Sequence, residues 1–374
     1  MLAQSAIIQK TGNPLSVVQA YNVKLEPLSD DKVLVEMLIS SINPADKMRI
    51  LGVYPASKET FDFTTNKGTD DQYSKTNGVI VGGEGVGKVV QIGKNVTRCM
   101  NSTINIGDWV IPMSTDVYGT WSTHFVSSPN NLIVIKDKTN ITPEHLSSVK
   151  VNASTAYRML KDLVPLNKGD YIIQNGANSG AGQYVIQLAR IWGYRTINVI
   201  RDRENYKELA DHLIDLGADI VIKDTELTSN KVEKLLSSLD SPIKLAICCV
   251  TGKPGSLLAK YLCSGGVHVT YGDMTMESLS VRSTDMIFRN ISFKGFWLVN
   301  FYKHTPVKLW METWNDILDM MRQGKLRKQN VEFINWYSLS NGSQSLKSIP
   351  DLQKTLNLAI SSPKKVAFIY RSKI

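Results

Sequence analysis

Over residues 1–150 the apolar positions come in short alternating runs broken by Gly, Pro and Asn, as in DKVLVEMLISSI, VGKVVQIG and GDWVIPM. Period-two alternation with such punctuation predicts a β-rich domain with few helices. From 151 to 312 the texture changes. DYIIQNG precedes GQYVIQLARIWG, TINVIRD precedes NYKELADHLIDLGA, and DIVIKD, KLAICCV, SLLAKYLCSGG and VHVTYG follow. Strands alternating with helices in this way predict βαβ units and a parallel sheet of α/β type. The tail holds one amphipathic helix, LWMETWNDILDMMRQGK, with Leu309, Trp310, Trp314, Ile317, Leu318 and Met321 at helical spacing, which we read as core packing. A last strand, KKVAFIY, closes the chain. Residues 58–78 are polar, rich in Thr, Asn and Asp, and too long for a tight turn, so they are expected to form a mobile insertion or a lid.

Composition narrows the class. The 374 residues, 43% of them hydrophobic, suit two domains of a soluble protein, and the longest apolar runs fall short of the roughly 20 residues a membrane span requires. Cys99, Cys248, Cys249 and Cys263 form no CxxC pair, and Cys248–Cys249 inside an apolar run reads as buried strand in a reducing compartment. The first nine residues are uncharged and run straight into a strand pattern, so no secretory or Arg-rich transit segment is visible. The formal net charge of +9 permits a polyanionic partner. No run of five basic residues occurs, so a solvated basic surface is the reading taken over a nucleic-acid site.

The candidate chemistry lies in two places. NGANSGAG (Asn175–Gly182) follows a strand and opens a helix, where glycines let backbone N–H groups approach a pyrophosphate. Its spacing is not a strict GxGxxG, since Gly176, Gly180 and Gly182 stand four and two apart. The next strand ends at Arg201, Asp202 and Arg203. There an acidic residue accepts from the ribose 2′-hydroxyl of NAD, whereas arginines pair with the 2′-phosphate of NADP. Two cations flanking one anion favour NADPH; the alternative is a pair of solvated arginines. The second place is Tyr54, held between Gly52 and Pro55 in a loop, where a tyrosine either packs or donates a proton.

Together these residues resemble the medium-chain dehydrogenase/reductase superfamily over nearly the whole chain. INPAD, GVYP, GDWVIP, GTW, VNASTAYRML, INVIRDR, VTYGDM and KGFWL are similar to its 2-enoyl thioester reductase branch, the mitochondrial trans-2-enoyl-CoA/acyl-carrier-protein reductases. The resemblance implies a GroES-like catalytic domain over 1–150 and 313–374 and a Rossmann domain over 151–312. It implies NADPH as cofactor, an enoyl thioester of CoA or acyl carrier protein as substrate, a homodimer, and the mitochondrial matrix as location. It places the proton donor on Tyr54. Asn152 falls on the nicotinamide side, Asn178, Ser179, Gly180 and Ala181 on the phosphate turn, and Arg201, Asp202 and Arg203 at the adenosine phosphate. Tyr271, Gly272, Asp273 and Met274, with Phe296, Trp297 and Leu298, match the segments that hold the nicotinamide. A lysine near the last strand also belongs to the family's site; Lys364 and Lys365 are not separated by spacing, and Lys365 is taken.

The superfamily's zinc enzymes carry a His before the glutamate of the stretch matching GGEGVG and an early Cys. This chain has Gly83 before Glu84 and Asn43 near the Cys position, so no zinc is expected. The branch usually has Asn at Gly83, Gly at Asp273 and Gln at Leu51, and these departures surround the substrate entrance. Two rival readings stand beside this one: an NADPH-dependent quinone or alkenal reductase, and a non-enzymatic protein that kept the dinucleotide fold.

Overall fold

The computed structural model describes residues 1–55, 59–68, 72–113, 119–340 and 343–370. The chain divides into two compact units, residues 1–150 with 328–374, and residues 151–327.

In the first unit the strands Leu2–Ile8, Gln19–Lys24, Phe61–Asn66 and Ser74–Ile80 close into a small barrel. A seven-stranded sheet is built around Val33–Ser41, which pairs antiparallel with Glu84–Ile92, with His124–Ser127 and with Val366–Ile369. The last strand therefore returns to the middle of the first unit. Its core packs Trp121, Trp336, Phe368 and Tyr370 with Val35, Met37 and Val89, all buried, and Trp336 meets Phe368 edge-on at 4.9 Å.

The segment expected to be a mobile insertion is mostly barrel. Phe61–Asn66 and Ser74–Ile80 pair antiparallel in register, Phe61 opposite Gly78 and Thr65 opposite Ser74. Thr65 and Thr76 are buried, and their hydroxyls share a hydrogen bond of 2.7 Å. Thr65 and Thr76 thus fill inward places that apolar residues mark when strands are read by hydrophobic alternation, although threonine suits the pleat well. Residues 58 and 69–71 of that segment lie outside the described residues.

The second unit is a six-stranded parallel sheet in the order Ile220–Lys223, Arg195–Ile200, Tyr171–Asn175, Ile243–Cys248, Val267–Thr270, Ser292–Gly295. Chain order reverses between Tyr171–Asn175 and Ile243–Cys248, which creates the crevice at the strand carboxyl ends where doubly wound sheets take ligands. Cys248 and Cys249 are buried free thiols, and burial raises both pKa values.

The amphipathic helix of the tail spans Val307–Arg322 without a break, so a boundary at 312/313 would cut it in two. Its Trp314 Nε1 donates to Tyr302 Oη at 3.2 Å, and Tyr157 Oη donates to Asp316 at 2.5 Å. These contacts tie the helix to the second unit, and the division falls at Lys328. Among the described residues no helix is long and apolar enough to cross a membrane.

Candidate active site

In the second unit the strand Tyr171–Asn175 delivers the glycine turn to the helix Gly180–Trp192. Gly176 has φ 56°, and a Cβ there would lie 2.4 Å from Cys249 Sγ; one on Gly182 would lie 2.6 Å from the Ala177 carbonyl. The turn is tight enough that only glycine fits both places. Ser179 caps the helix, its Oγ accepting from Gly182 N at 3.1 Å, while Gln183 Nε2 donates to the Asn178 carbonyl at 3.0 Å. Asn178, Ser179 and Gly180 are half-buried and Ala181 is buried. A 13-residue helix directing its free N–H groups at a glycine cradle fits a pyrophosphate.

Asn175, which the sequence reading did not single out, fastens this turn to the neighbouring strand. Its Oδ1 accepts from Cys249 N at 2.9 Å and Val250 N at 3.1 Å, and its Nδ2 donates to the Val250 carbonyl at 2.8 Å. Tyr271 comes up beside it, its Oη 3.4 Å from Ser179 Oγ and its backbone N donating to the Cys248 carbonyl at 3.0 Å. Burial, and then the nearby Cys249, push the Tyr271 phenol well above its ordinary pKa. Gly272 is half-buried, and Met274 N donates to the Cys249 carbonyl at 3.1 Å. Asp273 is exposed, and its carboxylate accepts from the Thr251 hydroxyl, which lies 2.8 Å from Thr275 Oγ1. The Asp273 carboxylate is therefore partnered.

Phe296 N donates to the Thr270 carbonyl at 2.9 Å, which brings Phe296, the exposed Trp297 and the buried Leu298 alongside the Tyr271 segment. Asn152 is 8% exposed in the wide helical turn Val149–Ala153, which continues as Ser154–Asp162. Arg201, Asp202 and Arg203 are exposed just beyond Arg195–Ile200.

In the first unit Tyr54 follows the helix Pro44–Leu51, which ends at Gly52 with φ 82°. Val53 N and Tyr54 N donate to the Met48 carbonyl at 3.1 and 3.3 Å, and Tyr54 is half-buried. The start of the same helix sits in a buried polar cluster. Asn43 N donates to Asp46 Oδ2 at 2.7 Å, Asn43 Nδ2 donates to Glu84 Oε2 at 2.7 Å, and Lys365 Nζ donates to the Ile42 carbonyl at 3.0 Å and to Asn43 Oδ1 at 2.5 Å. Burial pushes the Asp46 carboxyl up and the Lys365 ammonium down, each opposed by attraction to its charged neighbours. Lys364 instead is exposed and lies 3.4 Å from Glu332. Lys150, also buried, donates to the Gly83 and Pro112 carbonyls at 2.9 and 2.8 Å. Amide, carboxylate and ammonium groups thus satisfy one another around Asn43 and Glu84.

No family model matches the chain. It is 38% identical over 322 residues to the mitochondrial enoyl-[acyl-carrier-protein] reductase of Caenorhabditis elegans, with 85% of this chain and 84% of that protein covered. The solved Etr1p/NADP/crotonyl-CoA complex superposes with a TM-score of 0.83 and 29% identity, over 99% of this chain and 100% of that one. The mitochondrial 2-enoyl thioester reductase Etr1p/Etr2p heterodimer of Candida tropicalis superposes equally well, with a TM-score of 0.83, 28% identity and the same coverage. The shared architecture comprises a doubly wound parallel sheet and a β-rich unit. The chain belongs to the mitochondrial enoyl-[acyl-carrier-protein] reductase family.

Proposed function

We propose that the protein reduces trans-2-enoyl thioesters, carried by CoA or acyl carrier protein, to saturated acyl thioesters with NADPH, in fatty acid synthesis of the mitochondrial matrix. The observation that carries this reading is the likeness along 99% of the chain to a complex that holds NADP and crotonyl-CoA. When bound, NADPH supplies the hydride that reduces the β-carbon.

The chain's own residues do the rest. The Ser179-capped glycine turn, with Asn178, Gly180 and Ala181, holds the pyrophosphate, and Arg201 and Arg203 hold the 2′-phosphate. Tyr271, Gly272, Asp273 and Met274, with Phe296, Trp297 and Leu298, bound the nicotinamide pocket, and Asn152 orients its amide. Addition at the β-carbon leaves an enolate, and the Tyr54 hydroxyl gives its proton to the α-carbon. A phenol is protonated at neutral pH and donates without help from a divalent ion. The Asn43–Glu84–Lys365 cluster supports a metal-free reaction, because its donors and acceptors are engaged with one another. Lys365 holds the start of the helix Pro44–Leu51, which leads to Tyr54.

The active form is a homodimer built on the edge of the parallel sheet. Among the described residues Ser292–Gly295 pairs on one side only, and the helix Ser283–Arg289 that precedes it exposes Met286, Ile287 and Phe288, the last at 78%. An unpaired edge flanked by apolar side chains calls for a matching edge, which a second copy provides. Sedimentation at micromolar concentration should give a dimer for the wild type and a monomer for Phe288→Asp; a monomeric wild type contradicts the assignment. The net charge of +9 suits an acidic carrier protein, and activity on carrier-bound substrate should fall with salt more steeply than activity on the CoA ester.

The direct assay is loss of NADPH absorbance with crotonyl-CoA, run beside a quinone. Oxidation with the thioester and not with the quinone is expected; the reverse refutes the reading.

A further inference from the structure

The strand that borders Arg195–Ile200 on the outer edge of the parallel sheet ends in a lysine, Lys223. Its ammonium lies 2.9 Å from Asp202 Oδ1, and 5.0 Å above the centroid of the Tyr206 ring. Asp202 is held from two further directions: its backbone N donates to Asp224 Oδ1 at 3.0 Å, and Thr225 Oγ1 stands 3.5 Å from its Oδ2. Glu226 lies near enough to act on both Lys223 and Tyr206. Among the described residues, neither Arg201 nor Arg203 makes an ion pair.

This arrangement bears on how the two forms of the cofactor are told apart. A carboxylate just past the second strand of a doubly wound sheet accepts from the 2′-hydroxyl of an unphosphorylated ribose, and it repels a 2′-phosphate. Asp202 occupies that place. With Asp224 and Glu226 nearby, the segment would be acidic but for Lys223. We infer that Lys223 is a specificity-determining residue for the phosphorylated cofactor: by holding Asp202 it occupies the acceptor that the unphosphorylated ribose would use, and it adds a third cation beside Arg201 and Arg203. The hydrogen bond to Asp202 raises the Lys223 pKa, so the ammonium stays charged at working pH. The stack on Tyr206 fixes its direction before cofactor arrives.

The inference rests on the NADPH reading above, and the test separates the two. KM for NADPH and for NADH is measured with crotonyl-CoA for the wild type, Lys223→Met, Lys223→Arg and the Lys223→Met/Asp202→Asn pair, with the cofactor-free thermal midpoint of each as a control on folding. The wild type should prefer NADPH. Lys223→Met should lower that preference by about tenfold, through a higher KM for NADPH and a lower one for NADH. Lys223→Arg should keep the preference, and Asp202→Asn should restore most of what Lys223→Met loses, because the exposed carboxylate is then gone. A wild type without preference overturns both the NADPH reading and the inference. A wild type that prefers NADPH, with an unchanged ratio in Lys223→Met, overturns the inference alone. An Asp202→Asn change that restores nothing also counts against it, since the lysine would then act without regard to that carboxylate.

Discussion

The guanidinium of Arg49 lies over the ring of Tyr54, its central carbon 5.1 Å from the ring centroid. The two residues stand on either side of the reversal at Gly52, so the phenol is held by its own backbone bond to Met48 and by a cation on its face. A contact of this kind contributes about 0.5–2 kcal/mol. Arg49→Met should therefore lower turnover on crotonyl-CoA by about 2- to 30-fold, because the ring wanders from the position that delivers a proton. KM for NADPH should stay within about twofold, since the cofactor residues proposed here lie elsewhere in the chain. Steady-state kinetics with each substrate varied in turn checks both statements, and an unchanged turnover would remove Arg49 from the account.

Thr251 and Asp273 give a second test. The Thr251 hydroxyl donates to the carboxylate that stands where relatives are expected to carry glycine. Thr251→Val removes the donor and turns the anion toward the proposed nicotinamide pocket. KM for NADPH should rise about 3- to 10-fold, the worth of one ordinary hydrogen bond. Adding Asp273→Asn should bring it back, because a neutral amide carries no charge to misplace. Failure of the second change to rescue the first would show that the loss of Thr251 acts through packing.

Stability should depend on pH through His268. The side chain is fully buried on the strand Val267–Thr270, its Nε2 donates to the Gly255 carbonyl at 3.0 Å, and burial lowers its pKa. The folded state then stays neutral where the unfolded chain, titrating near 6.5, takes up a proton. Unfolding binds protons in that window, so stability is full above it and is lost as pH falls from about 6.5 toward the lowered folded value, by up to about 1.4 kcal/mol per unit. His145, also lowered by burial, adds a contribution of the same sign. Urea midpoints between neutral pH and pH 5 should fall for the wild type and fall less for His268→Asn. Equal slopes would contradict the assignment.

Much of the second unit could be read from the sequence because its chemistry is local. A strand, a glycine turn and a helix follow one another directly in NGANSGAG, and the arginines sit one strand further on. What escaped was whatever needs the order of strands. Lys223 meets Asp202 only because Ile220–Lys223 lies beside Arg195–Ile200, and Thr251 meets Asp273 only because Ile243–Cys248 lies beside Val267–Thr270. Asn43 and Lys365 are 322 residues apart, a separation no local pattern bridges. The barrel strands Phe61–Asn66 and Ser74–Ile80 are hidden for a different reason: Thr65, Asn66, Thr76 and Gly78 are among their buried positions, and such residues read as loop when hydrophobicity is the guide. The helix Val307–Arg322 was found, but its amphipathic stripe does not say which unit it packs against.

The central claim is that the hydroxyl of Tyr54 finishes the reduction. The direct measurement is turnover of crotonyl-CoA by Tyr54→Phe, with NADPH affinity measured by fluorescence on the same preparation. The account predicts affinity within about twofold of the wild type and turnover lower by about 100-fold or more, the usual worth of a positioned proton donor. A phenylalanine variant that binds NADPH and reduces the thioester at the wild-type rate would contradict it.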